Sequence, residues 1–162
     1  MNIFILHTDI QQNVQYYVDK HIVKMPLESA QMLCTVANEL CGMQVAPYKS
    51  THINHPCTIW VRQSKQNFEY LFALMVAIDI ERQYRFNSTE NHLSVTKLIQ
   101  ANILQYADML PNIGLTDFAQ CMPEQYKVTN DAVSAYRNYY NGGKTHMFKW
   151  KNRPTPDWII TK

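Results

Sequence analysis

From Pro56 to Phe86 the residues Phe68, Leu71, Phe72, Met75, Val76 and Ile78 fall at helical spacing and occupy nearly every side of the helix they imply. A helix that is apolar all round cannot lie on a surface; other elements have to wrap it, and a multi-helix bundle does this. The longest apolar run within it, Tyr70 to Ile80 broken by Asp79, is about half of the ~20 residues that span a bilayer. The wrapping is therefore expected to be protein, and no membrane partner is expected. Glycine usage points the same way, with only 4 glycines against 7 prolines in 162 residues. Gly-rich phosphate turns of a dinucleotide fold and the many tight turns of a β-sandwich both need more. With 46% apolar and 17% charged residues, the chain has the side chains for a core and lacks the signature of disorder. The expectation is a mainly α fold: a single-domain helical bundle over residues 1–162, with a short extended N-terminal segment.

Along the chain, residues 2–6 read as that extended or strand segment. Thr8 or Asp9 can cap a helix over about 10–18. A longer pattern covers about 20–40 and ends before Gly42. Residues 43–55 read as a loop. The helical stretch from Pro56 to Phe86 is interrupted near Ser64. A third amphipathic helix is expected over 92–107 and a long loop over 108–128. Thr129 or Asn130 can cap a last helix to about Tyr140, stopped by Asn141-Gly142-Gly143.

The most informative chemistry lies on the second of these helices. His21, Lys24, Glu28, Gln31, Thr35 and Asn38 are spaced 3, 4, 3, 4, 3 and form one polar stripe. It is narrow, flanked by Ile22, Met25, Leu27, Met32, Leu33, Val36 and Leu40. A stripe of that kind can line a cleft, with Glu28 as base or cation stabiliser and Lys24 as nucleophile or phosphate ligand. Two plainer readings stand beside it. Lys24 and Glu28 at i,i+4 also make an ordinary surface pair. If a helix begins at Pro26, Glu28 simply sits near the positive end of its dipole.

His52 and His55, in His-x-x-His-Pro-Cys57, offer the start of a metal site, but zinc needs three or four donors and no second close pair completes the set. Neither a metal nor another cofactor is expected. Cys34, Cys41, Cys57 and Cys121 are scattered, and the start MNIFILHTD has no basic n-region or cleavage site. Reduced thiols and a cytoplasmic location are therefore expected, in a bacterial host if the chain is phage-encoded. The net charge of +2 does not announce nucleic-acid binding, yet Ala132 to Pro156 has no acidic residue. That stretch interleaves Arg137, Lys144, His146, Lys149, Lys151 and Arg153 with Tyr136, Tyr139, Tyr140, Phe148 and Trp150. Cations among aromatics suit phosphates and unstacked bases. The same pattern also suits a tail that docks its aromatics and leaves lysines in water.

Three pieces together resemble the pyrimidine-dimer DNA glycosylase family, of the phage endonuclease V type and its bacterial relatives. They are the opening Met-Asn-Ile-Phe-Ile-Leu-His, the stretch Asp19-Lys-His21 leading to Glu28, and Asn54-His55-Pro56 before a long helix. The resemblance covers about the first 90 residues. It implies an all-helical domain that flips a damaged pyrimidine out of DNA and attacks the sugar C1′ with an N-terminal amine, forming a Schiff base supported by a glutamate and needing no metal. Carried over, the carboxylate is Glu28 and the amine that of Met1 or Asn2; methionine before Asn is usually retained, which favours Met1. The chain departs where the phage enzyme flanks its Glu with arginines, since those places hold Leu27 and Gln31. Lys24, one turn before Glu28, can substitute for the lost cation or for the amine, with His21 beside it. The DNA face would draw on His52, His55, Arg62, Lys65, Arg137, Lys144, Lys149, Trp150, Lys151 and Arg153. Two rival functions share this fold: a phage enzyme of DNA base hypermodification, and a non-catalytic DNA-binding module.

Overall fold

The computed structural model describes residues 1–160. The chain is mainly α, 57% helical, with no strand among the described residues. The helices are α1 (Ile10–Tyr16), α2 (Asp19–Cys41), α3 (Pro56–Val61), α4 (Lys65–Phe86), α5 (Leu93–Gln100) and α6 (Ala132–Gly143). As expected of a helix apolar all round, α4 lies centrally, packed on α1, α2, α3 and α5. Its Phe68, Leu71, Met75 and Ile78 are buried, and Phe72 and Val76 are half-buried.

Most element ends obey local chemistry. Asp9, not Thr8, caps α1, its carboxylate accepting from the Gln12 N–H at 2.8 Å. Helix α2 ends at Gly42, whose φ of 65° is the left-handed turn that glycine takes without strain. Ser64 divides α3 from α4 and caps the latter, accepting from Asn67 N at 3.1 Å.

Three boundaries differ from the sequence reading. The expected helix over 92–107 is two pieces, because Asn102 adopts a φ of 46° and the chain resumes as a 3₁₀ helix, Ile103–Met109. Asp131, not Thr129 or Asn130, caps α6, accepting from Ser134 N at 2.9 Å. Helix α6 also runs through Asn141-Gly142-Gly143 rather than stopping there. The Tyr126 ring occupies the space a Cβ at Gly142 would need, so that glycine serves close packing and not termination.

Helix α2 also passes straight through Pro26. A mid-helix proline removes one backbone donor and costs about 3 kcal/mol. Burial of Ile22, Met25, Met32, Leu33 and Val36 along the same helix offsets that. The helix therefore begins well before Pro26, and Glu28 is not a first-turn residue.

Residues 3–6 cross the core as neither helix nor strand, at most 4% exposed. Buried irregular backbone must find partners elsewhere. Asn13 accepts from Leu6 N at 2.6 Å and donates to Phe4 O at 3.1 Å. Tyr17 donates to Phe4 O at 2.6 Å, and Arg137 to Leu6 O at 3.0 Å. These bonds hold Met1 and Asn2 in place beside α2.

The C-terminal tail is fastened to the bundle by a buried ionic cluster. Arg85, fully buried, donates to Glu81 at 2.6 Å and to Asp19 at 3.1 Å. Arg153 grips Glu81 with two bonds of 2.9 Å, and Asp19 accepts from the Lys151 N–H at 2.9 Å. Among the described residues, no helix is long and apolar enough to cross a membrane.

Candidate functional site

Glu28 is 8% exposed; it does form the i,i+4 pair with Lys24, but its carboxylate is sunk in the wall of a cleft rather than set on an open face. Two cations converge on its carboxylate. Lys24 Nζ lies 2.8 Å from Oε1, and the Met1 amine 3.6 Å from Oε2. The Met1 side chain is only 3% exposed while the residue as a whole is half-buried, so what it presents outward is main chain. Lys24 bonds the other carboxylate oxygen, its own side chain 69% exposed.

The three groups stand at the wall of a cleft of about 320 Å³, a size that holds a small ligand. Its other walls include Lys20, His21, Tyr139 and Lys144. One carboxylate thus faces the terminal amine and three lysines. Among the described residues, Lys20 and Lys144 have no carboxylate within 4.0 Å. A concave surface with surplus positive charge attracts anions, and a buried carboxylate can oppose a positive charge placed beside it.

His21 has a different role from the one its place on the stripe suggests. It stacks on Phe4, with centroids 4.2 Å apart, and its Nδ1 lies 2.6 Å from the Tyr140 hydroxyl. Burial, with Lys144 and Lys24 nearby, pushes its pKa down to about 3, so the ring is neutral at ordinary pH. It shapes the cleft wall and carries no charge there. Asn2 is likewise engaged: its amide donates to Cys121 O at 2.8 Å and accepts from Ile3 N at 2.9 Å and from the Tyr136 hydroxyl at 2.7 Å. It positions Met1 and does not offer an amine of its own.

Behind Asn2 lies a second group of reactive side chains. Cys57, fully buried, and Cys121, half-buried, place their sulfurs 3.2 Å apart. The bond from Cys57 to Cys121, together with burial, pushes the Cys57 thiol up; the same bond draws the Cys121 thiol down. His55 joins them, the three donor atoms lying within 4.8 Å of one another. Burial, then the positive chain terminus, lowers the His55 pKa.

Other residues expected on a DNA face are scattered. His52 is exposed at a φ of 50° and bonds Thr51. Arg62 donates to Ile53 O at 3.2 Å, and Lys65 pairs with Asp108 at 2.6 Å. Arg137 stacks on Trp158 at 5.1 Å, and Trp150 Nε1 donates to Tyr16 O at 2.9 Å. Arg153 is held by Glu81. The tail thus docks its aromatics, while Lys149 and Lys151 remain exposed and Lys144 lines the cleft.

Sequence reasoning missed Lys20 and Cys121 at the site, and had Tyr139 only as one of several aromatics among the cations of the tail. Lys20 was visible in principle, lying four residues before Lys24 and eight before Glu28. Cys121 had no such signal, and nothing singled Tyr139 out from its aromatic neighbours, because distant chain segments bring both in. Compared with family models, curated proteins and solved structures, the chain matches none.

Proposed function

We propose that the chain is a DNA-binding enzyme that releases a pyrimidine base flipped out of the stack, in the manner of a glycosylase. The observation that carries this reading is the Met1 amine 3.6 Å from the buried Glu28 carboxylate, in a cleft whose remaining charges are lysines. Base flipping is needed because the glycosidic bond is out of reach inside an intact duplex. Lys20, Lys24 and Lys144 supply phosphate contacts at the rim, and Tyr139 a ring on which an extruded base can stack.

In the proposed reaction the neutral amine of Met1 attacks C1′, and the bond to the base breaks with its electron pair leaving on the base. Glu28 opposes the positive charge that grows on the sugar and takes a proton from the new C–N centre. It returns that proton to O4′ as the sugar ring opens, leaving an iminium between Met1 and C1′. The buried segment 3–6 holds the Met1 amine beside Glu28, which suits it as nucleophile over the exposed Lys24 side chain.

Borohydride reduction tests this on oligonucleotides carrying a pyrimidine dimer, an oxidised pyrimidine, a 5-hydroxymethyl pyrimidine, uracil or an abasic site. The expected result is a covalent adduct on at least one of them, mapping by mass spectrometry to Met1 and lost when one extra residue precedes Met1. An adduct on Lys24, or none on any substrate, overturns the assignment.

A further inference from the structure

The sequence offers His52 and His55, with Cys57 nearby, as the start of an incomplete ligand set, and of these His52 stays outside the cluster that forms. The fold supplies what was missing: Cys121, 64 residues beyond Cys57, closes on Cys57 and His55. We propose that His55, Cys57 and Cys121 form a binding site for a divalent metal ion of the zinc class. The proposal is independent of the DNA reading.

The donor types come first. Two thiols and an imidazole are the donors that borderline-soft ions prefer, and hard ions such as magnesium do not. Next comes geometry. A tetrahedral ion with bonds of about 2.3 Å to sulfur holds its two sulfurs about 3.8 Å apart. Here they lie 3.2 Å apart, so each sulfur moves by about 0.3 Å to admit the ion. All three donor atoms already fall within 4.8 Å of one another. In the absence of a metal the sulfurs are joined through an S–H···S contact. The ion takes the place of the thiol protons, forming two metal–sulfur bonds and releasing two protons to solvent. Three protein donors leave one tetrahedral position for water.

The surroundings are set up to hold the donors. Asn2 donates to Cys121 O at 2.8 Å, and the Cys121 N–H donates to the Tyr136 hydroxyl at 3.3 Å. His55 is tied to Cys57 through the Cys57 N–H, at 3.2 Å. Such outer contacts orient ligands before the ion arrives. The ion would pin the long connection between the Ile103–Met109 turn and α6, which carries Cys121, to the start of α3. Because Asn2 bonds that same connection, the ion would also steady the first residues of the chain.

The test uses the full chain, reduced, stripped with a chelator, and titrated with cobalt(II) and then zinc(II). One equivalent of cobalt should bring up a thiolate-to-metal charge-transfer band that zinc abolishes. Zinc should also raise the melting temperature and shield two thiols from a disulfide reagent. Cys57→Ser and Cys121→Ser should each lose the band, His55→Ala should weaken binding at least about tenfold, and Cys41→Ser should bind as the parent does. Should Cys57→Ser fail to fold, Cys121→Ser, at a half-buried position, decides alone. The proposal fails if no band develops, if Cys121→Ser keeps it, or if a Cys57–Cys121 disulfide forms equally fast with and without zinc.

Discussion

Two clusters of charge are attached to the first turns of α2, and they are built on opposite plans. At its start, Asp19 joins Glu81, Arg85 and Arg153: two carboxylates against two guanidiniums, each bonded directly to an opposite charge. Arg85 is fully buried there and also donates to the carbonyls of Tyr17 and Gln15. Two turns on, Glu28 alone faces Met1, Lys24, Lys20 and Lys144 around open space. Burial of charge is common to both; the balance is not. Where charge is matched and space is filled, removing a partner exposes an uncompensated ion and the fold suffers. Where one sign is in surplus beside a cleft, the countercharge is left for solvent ions or a ligand to supply. The first cluster fastens the tail, and the second is the candidate for chemistry.

Substitutions can break this contrast, and the largest effect is expected at Glu28. Glu28→Gln keeps the shape but removes the charge that opposes a developing cation. Single-turnover base release should fall about a thousandfold or more, while melting temperature and DNA affinity stay close to the parent. Full activity in this variant would remove Glu28 from the proposed mechanism.

Arg85→Met probes the other cluster and should do the reverse. It leaves Asp19 and Glu81 short of a buried partner, so stability should fall by about 3–5 kcal/mol. At 2–4 °C per kcal/mol for a chain of this size, the melting temperature should drop by roughly 10 °C, with the rate per folded molecule unchanged. An unchanged melting temperature with impaired chemistry would invert the comparison.

His21 lies between the two and responds to pH. Its pKa is about 3 when folded, against an ordinary 6.5 when unfolded. The unfolded chain therefore binds the proton more readily, and stability present above pH 6.5 drains away as pH falls toward 3. By pH 5 the loss is roughly 2 kcal/mol. His21→Phe keeps the stacking but cannot titrate, so its melting temperature should decline less than the parent's between pH 7 and pH 5. Parallel decline in the two would show that His21 is not protonated on unfolding.

The smallest effect concerns the cleft lysines. If Lys20 and Lys144 each meet a phosphate, then replacing either by Gln should reduce the log–log salt slope of DNA binding by about 0.9. Lys65→Gln, at a lysine already paired with Asp108, should leave the slope as it is.

The helices were legible because their causes are local. An all-round apolar pattern made α4 central, Asp9 and Ser64 capped α1 and α4, and Gly42 ended α2. Where the sequence misled, a distant contact had overruled the local signal. Gly142 makes room for the Tyr126 ring and Gly143 for that of Tyr139, and Pro26 stays helical because the face around it is buried.

The candidate site divides along the same line. Lys24 and Glu28 share one helix, so their 3.6-residue periodicity determined by itself that they would meet. Sequence alone could not decide whether Glu28 lay in water or in the wall of a cleft. That depended on residues 3–6 being threaded through the core, which carries Met1 to the Glu28 carboxylate, and on α6 and the turn after it bringing Tyr139 and Lys144 across. Cys121 reached Cys57 by the same means, across 64 residues. The physical reason is range. Periodicity and capping act over about four residues, whereas a cleft is made wherever packing leaves segments far apart in the chain facing each other.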